Sequence, residues 1–267
     1  MLYTLSSGGS GKGFHHYSAL LECAMRVRLD AEAKGRGEHT SSDLEPVLNI
    51  GTLTHAYLEA GYNGEDIEKL RFTQNNHPAC DNGDWQVAAL NLVRAYRDKF
   101  GFNSLGDVLH NEYLIPSNPH QVEQLKLVYK DIPVSGKLDM VTSFNEEQCD
   151  KFTDQRGMEI EPGLYIIDHK TAARVYDVTI LRYQYSLQFV HYQNLWNLIN
   201  PDNKAQGLIV NVLIKTKKPD FRTFVIPPPD ENDIKALLNK FEGARFIEDN
   251  MPDYANDNAC FSFNRPC

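Results

Sequence analysis

The sequence predicts a mixed α/β (α+β) fold with a helical N-terminal part. Three features predict it: helix-forming segments before residue 105, a run of short β-rich segments after Gly101, and a closing helix–strand–strand–helix pattern. At 267 residues the chain is long enough to bury a sizeable core.

The elements follow in order. Residues 1–17 are rich in Gly and Ser and read as a flexible leader. SALLECAMRVRLDAEAK (18–34) has helix-forming composition, a Ser at its start and Gly35 at its stop. Helices are expected at about 50–60 and 85–100, separated by the polar segment 72–84. Alternating polarity predicts strands in DVLHNEYLIP (107–116), QLKLVYKDI (124–132) and VSGKLDMVTSF (134–144). GLYIIDHK (163–170) carries the short apolar run of a buried strand. TILRYQYSLQFVHYQNLWNLI (179–199) predicts one helix, with Leu181, Tyr185, Gln188, Tyr192, Leu195 and Ile199 on a single face. GLIVNVLIK (207–215) reads as a buried strand, FRTFVIPPP (221–229) as a strand halted by proline, and residues 231–248 as a helix. The expected division is a helical region over 18–105, a core over 106–229 and a C-terminal helix with a cysteine-containing tail over 230–267, all in one compact unit.

Composition narrows the function. The chain has 27 basic and 36 acidic residues, a net charge of −9, which excludes a protein that coats nucleic acid by bulk electrostatics. A local basic track remains compatible, and Lys215, Lys217, Lys218 and Arg222, with Arg174 and Arg182, are its candidates. No run of 18 apolar residues exists, so no membrane span is expected. The N-terminus lacks an apolar signal-peptide segment, so a cytoplasmic location is expected. Five scattered cysteines make a poor disulfide framework. The Gly-Gly-Ser-Gly-Lys-Gly stretch near the N-terminus is no phosphate loop. Ser6 stands where that motif needs Gly, Gly13 follows Lys12 in place of Ser or Thr, and no buried strand precedes.

The informative constellation lies between Gly136 and Lys170. Asp139 interrupts an apolar strand, where an unpaired carboxylate costs several kcal/mol. Asp168 ends Leu-Tyr-Ile-Ile-Asp, and Lys170 projects to the same side because strand side chains alternate. Two readings stand at this point. One is a structural Asp–Lys pair joining two strands. The other is a site for a hard divalent cation, Mg²⁺ or Mn²⁺, held by two carboxylates beside a lysine that orients water.

Further residues extend the pattern. Gly-x-x-Asp (Gly136, Asp139), strand-Asp-x-Lys (Asp168, Lys170) and Gln-x-x-x-Tyr (Gln188, Tyr192) are preceded by Gly-Thr-Leu-Thr-His (51–55) and by Ser18-Ala-Leu-Leu-Glu-Cys23. In this order they resemble the RecB-like exonuclease branch of the PD-(D/E)XK nuclease superfamily, over about residues 18–267. The resemblance implies a restriction-endonuclease-like core, a mixed central sheet flanked by helices. It implies Asp139, Asp168 and His55 as metal ligands, with the His169 backbone carbonyl contributing, and Lys170 as the catalytic lysine. It implies Gln188 and Tyr192 as substrate-positioning residues; Glu112, in His-Asn-Glu-Tyr-Leu, is a further acidic candidate of lower rank.

Members of this branch often hold a four-iron, four-sulfur cluster on one cysteine before the core and three near the C-terminus. Cys23, Cys260 and Cys267 match that layout, and the fourth ligand is open between Asp257, three residues before Cys260, Cys80 and a residue beyond Cys267. Zinc on the same cysteines is another reading. The resemblance also implies a DNA substrate, single-stranded or at duplex ends, and recombination or CRISPR adaptation proteins as partners, in a bacterium or a phage-infected host. A structure-specific endonuclease and a DNA-end-binding adaptor with a dormant nuclease are the alternatives. The oligomeric state is open.

Overall fold

The computed structural model of the chain describes residues 2–4, 15–16, 46–73, 82–130 and 134–250. The expected helix over 18–34 and the tail beyond 250 lie outside these residues. Two short strands, β1 (Leu2–Thr4) and β2 (His15–His16), fall within the segment read as a leader. Helix α1 (Pro46–Tyr62), a 3-10 turn, strand β3 (Arg71–Thr73) and helix α2 (Gly83–Phe100) follow. β1 pairs in parallel with β3, and β2 with Val134–Ser135.

The middle of the chain runs β4 (Asp107–Ile115), α3 (Pro119–Val128), β5 (Val134–Phe144), α4 (Glu146–Lys151) and β6 (Gly163–Ala172). It continues through α5 (Asp177–Gln184), α6 (Leu187–Ile199), β7 (Ala205–Ile214), β8 (Asp220–Ile226) and α7 (Glu231–Asn250). The long strands lie in the order β4-β5-β6-β7-β8. β5 is antiparallel to both β4 and β6, β6 and β7 are parallel, and β8 returns antiparallel. A parallel pair needs a crossover, and α5 and α6 supply it.

The buried strands explain the sheet's position. One face carries Leu138, Ile166, Leu208, Val210 and Val212 against Phe189, Leu195 and Trp196 of α6 and Leu237 and Phe241 of α7. The other carries Met140, Ile167 and Ile209 with Phe144 and Tyr165. A third cluster packs α1 and α2 onto Leu213 and Phe221.

Two expected elements are corrected. QLKLVYKDI is no strand: its first half belongs to α3. Asn118 caps that helix by accepting from the Gln121 N–H, and Pro119 opens it. Leu125 and Tyr129 are buried four residues apart while Leu127 is 86% exposed, so the apparent alternation is a helical face. The expected single helix over 179–199 is two helices broken at Tyr185–Ser186. Ser186 is extended at the start of α6, and Leu181 and Tyr185 face solvent instead of continuing its buried stripe.

The polar insertion between α4 and β6 is tied down by buried Asp154. Its carboxylate accepts from the backbone N–H groups of Arg156 (2.7 Å), Met158 (2.9 Å) and Val225 (3.0 Å), and from the Arg156 guanidinium. Burial pushes this carboxyl up, but the three backbone donors and Arg156 together hold it below its ordinary range. A depressed folded value contributes stability above the unfolded carboxylate range and loses it as pH falls through the folded value. Asp154→Ala is expected to cost about 3 kcal/mol at pH 7. The difference from wild type should shrink below pH ~4, as read by urea denaturation at both pH values.

Candidate active site

Pairing of β5 with β6 runs from Phe144–Gly163 to Met140–Ile167 and stops, while β6 goes on pairing with β7 to Ala172. Asp139 and Asp168 are the first residues past that point. The parting of the strands leaves the His169 N–H without a ladder partner, and it donates to Asp139 Oδ2 at 2.7 Å. A side-chain carboxylate thus replaces a backbone carbonyl and is fixed by doing so.

Helix α1 brings His55 to the same oxygen, with Nδ1 at 3.3 Å from Asp139 Oδ2. Gly51, one turn earlier, makes that approach possible. A Cβ there would lie 3.1 Å from Thr171 Oγ1 of β6. Gly136 does the same on the other side of Asp139, where a Cβ would lie 2.7 Å from Leu195 Cδ1 and 3.4 Å from the Tyr192 ring. Both glycines of the sequence motifs are therefore contact points at which a helix presses on a strand.

Asp168 is buried and its Oδ2 meets Lys170 Nζ at 2.7 Å. The lysine also lies 5.7 Å from the centre of the Phe189 ring. On α6, Gln188 Nε2 donates to Tyr192 Oη at 2.9 Å. Glu112 of β4 stands level with Asp139, between the pairs Asn111–Met140 and Tyr113–Leu138. It has a φ of +52°, a region a non-glycine residue rarely occupies, and it is ion-paired with Lys137.

The electrostatics divide the acids. Burial pushes Asp168 up to about 6, against the pull of Lys170. Burial and the Asp139 charge push Glu112 up to about 7, against Lys137. Burial also works against ionised Asp139, but His55, His169 and Lys170 outweigh it and hold the carboxyl below its ordinary range. His55 is raised, burial being outweighed by Asp139, whereas burial takes His169 down to about 4. Lys170 stays above its ordinary value because Asp168 and Asp139 overcome its burial. Burial is the largest cause at both raised carboxyls, and the Asp139 charge adds to each.

Ligand-capable atoms of His55, Glu112 and Asp139 all lie within 4.8 Å of one another. One imidazole and two carboxylates form a donor set of the kind Mn²⁺ and Mg²⁺ accept. The expected residues thus gather at one point, with two adjustments. Glu112, the lower-ranked acid, joins the close ligand group, and Asp168 is turned to Lys170. Cys23, Asp257, Cys260 and Cys267 lie outside the described residues; Cys149 is free and buried. Among the basic-track candidates, Arg222 is 3.2 Å from Asp220 and Arg174 bonds the Tyr176 hydroxyl.

Sequence reasoning missed Lys137, Tyr62 and Asn211. Tyr62 stacks on the His169 ring at 5.7 Å, and Asn211 Nδ2 lies 2.9 Å from His169 Nδ1. The one available signal was Asn211 itself, a lone polar residue inside the apolar run Leu-Ile-Val-Asn-Val-Leu-Ile.

The fold is similar to that of a candidate exonuclease from Eubacterium rectale, with a TM-score of 0.51 and 14% identity, covering 92% of this chain and 86% of that one. At that identity the likeness is one of fold alone, a mixed sheet flanked by helices. No protein-family model matches the chain, and no curated protein is significantly similar to it in sequence. Among the described residues no helix is long and apolar enough to cross a membrane.

Gly136→Val is expected to lower stability by about 2 kcal/mol, because fully buried Leu195 has no room to retreat. Chemical denaturation of the variant checks this; an unchanged midpoint would show that α6 does not press on β5 there.

Proposed function

We propose that the chain is a metal-dependent DNA exonuclease of the RecB-like branch of the PD-(D/E)XK superfamily. The observation that carries the reading is the convergence at the parting of β5 and β6. His55, Asp139, Asp168 and Lys170 come from three separate elements and meet through contacts of 3.3 Å (His55–Asp139) and 2.7 Å (Lys170–Asp168). A structural salt bridge between two strands would require neither the histidine nor Glu112 beside it.

In this reading His55, Glu112 and Asp139 would hold Mg²⁺ or Mn²⁺, and Asp168 and the His169 carbonyl would be further ligands. A divalent cation bound there supplies charge neutralisation at the phosphodiester and acidifies the attacking water. Asp139 is kept ionised, so it is available as a ligand without losing a proton. Lys170, kept cationic and half-buried beside Asp168, orients water and offsets charge on the phosphate. Gln188 and Tyr192, joined by their hydrogen bond, form a firm wall that positions the strand. The surplus of acid over base across the chain is compatible with this role, because the grip on DNA is local. The same reading assigns Cys23, Cys260 and Cys267 to a four-iron, four-sulfur cluster, and a broad visible absorption band in anaerobically purified protein is its signature.

Lys170→Ala and Asp168→Ala are each expected to slow Mn²⁺-dependent degradation of labelled linear DNA by about 100-fold or more. Degradation at the wild-type rate by Asp168→Ala would sink the assignment. A circular single strand should survive; its cleavage would make the enzyme an endonuclease.

A further inference from the structure

His169 has two jobs to reconcile. Its backbone N–H fixes Asp139, while its buried side chain faces α1, with its ring 6.2 Å from that of His55 and edge-on to it. The imidazole takes no part as a ligand in the proposed chemistry, yet two further groups confine it.

Tyr62 stacks against it, with centroids 5.7 Å apart and planes 22° from parallel. Tyr62 lies seven residues after His55 in α1, two turns on and therefore on the same face. The other restraint comes from Asn211, the cross-strand neighbour of His169 on β7, whose Nδ2 lies 2.9 Å from Nδ1. Among the described residues that is the only hydrogen bond the ring makes, and Nε2 is buried without a partner among them. The Asn211 carboxamide also bonds the Tyr96 hydroxyl of α2, and Tyr96 Oη in turn meets Tyr62 Oη at 2.9 Å. Tyr62, Tyr96, Asn211 and His169 therefore close a ring of contacts linking α1, α2, β7 and β6.

The geometry points to Asn211 as a positioning residue of the metal centre, acting through His169. Past Met140–Ile167, β6 has no ladder with β5 to hold its backbone at a set distance from Asp139. The orientation of the His169 peptide then depends on its pairing with β7 and on where the side chain is anchored. Asn211 supplies the polar part of that anchor, and a one-ångström slip there moves the N–H that holds Asp139. Partners one step removed from the ligands typically change metal affinity by about 10- to 100-fold when removed. This inference rests on the metal-dependent nuclease reading.

The test uses the full chain with Asn211→Leu, which keeps the volume and removes the hydrogen bond, and Asn211→Gln, which keeps a carboxamide donor for Nδ1. Mn²⁺ binding is measured by calorimetry and DNA degradation by kcat and KM, well below each variant's melting temperature. Tyr129→Phe serves as the control for loss of a buried hydrogen bond elsewhere, since Tyr129 accepts from Asn194 at 2.9 Å in a separate network. Asn211→Leu is expected to weaken Mn²⁺ binding by about tenfold and to lower kcat, with KM for DNA unchanged. Asn211→Gln should stay within about threefold of wild type, and Tyr129→Phe should lose thermal stability without losing Mn²⁺ affinity. Wild-type Mn²⁺ affinity in Asn211→Leu would overturn the positioning role alone. Equal impairment of the Leu and Gln variants would also overturn it, leaving a packing effect. Failure of wild type itself to bind Mn²⁺ would overturn the functional reading, and the inference with it.

Discussion

The hydrogen bond from the His169 N–H to Asp139 holds the centre of this molecule together. It spans the place where β5 and β6 separate, and separation is what creates room for chemistry in a sheet that is otherwise closely packed. A carboxylate there has two unfavourable alternatives. It is half-buried, so its ionisation needs a favourable partner, and it sits opposite a backbone donor that would otherwise be unsatisfied. One bond resolves both. His55 then arrives at the same oxygen because Gly51 lets its helix lie against β6, and the rest of the site is arranged around that fixed acid.

The charges are arranged unequally for a reason. Asp139 receives a backbone donor and a histidine, Asp168 a lysine, and Glu112 a lysine of its own. Each acid has one favoured partner, yet the carboxyls remain close enough to raise one another's proton affinity. Such an arrangement is stable as folded but electrostatically unsatisfied, which is how a binding site for a cation differs from a set of structural salt bridges.

Much of this was legible in the residues. β5 matches its expected span because every apolar position from Val134 to Phe144 fits a strand buried on both faces, and the Asp168-x-Lys170 pairing follows from alternation alone. Other features depend on tertiary context. Leu125, Leu127 and Tyr129 fit a strand as well as a helix, and only the Asn118–Pro119 start distinguishes the two. The break at Tyr185 does not disturb the three- and four-residue spacing, so periodicity passes over it. Glu112 enters the ligand group through the register of β4 on β5, a non-local quantity that no local pattern encodes. Asn211 interrupts an apolar strand, and its partner His169 stands on a neighbouring strand that no local pattern identifies.

The same break has a dynamic consequence. α6 buries seven residues against the sheet, whereas α5 buries none and leaves Val178 and Leu181 each 52% exposed. Two consecutive helices therefore differ widely in the free energy that holds them, and the seam at Tyr185–Ser186 lets one open without the other. Amide hydrogens of α5 should exchange through local opening on a timescale set by that helix alone, while those of α6 report the unfolding of the whole core.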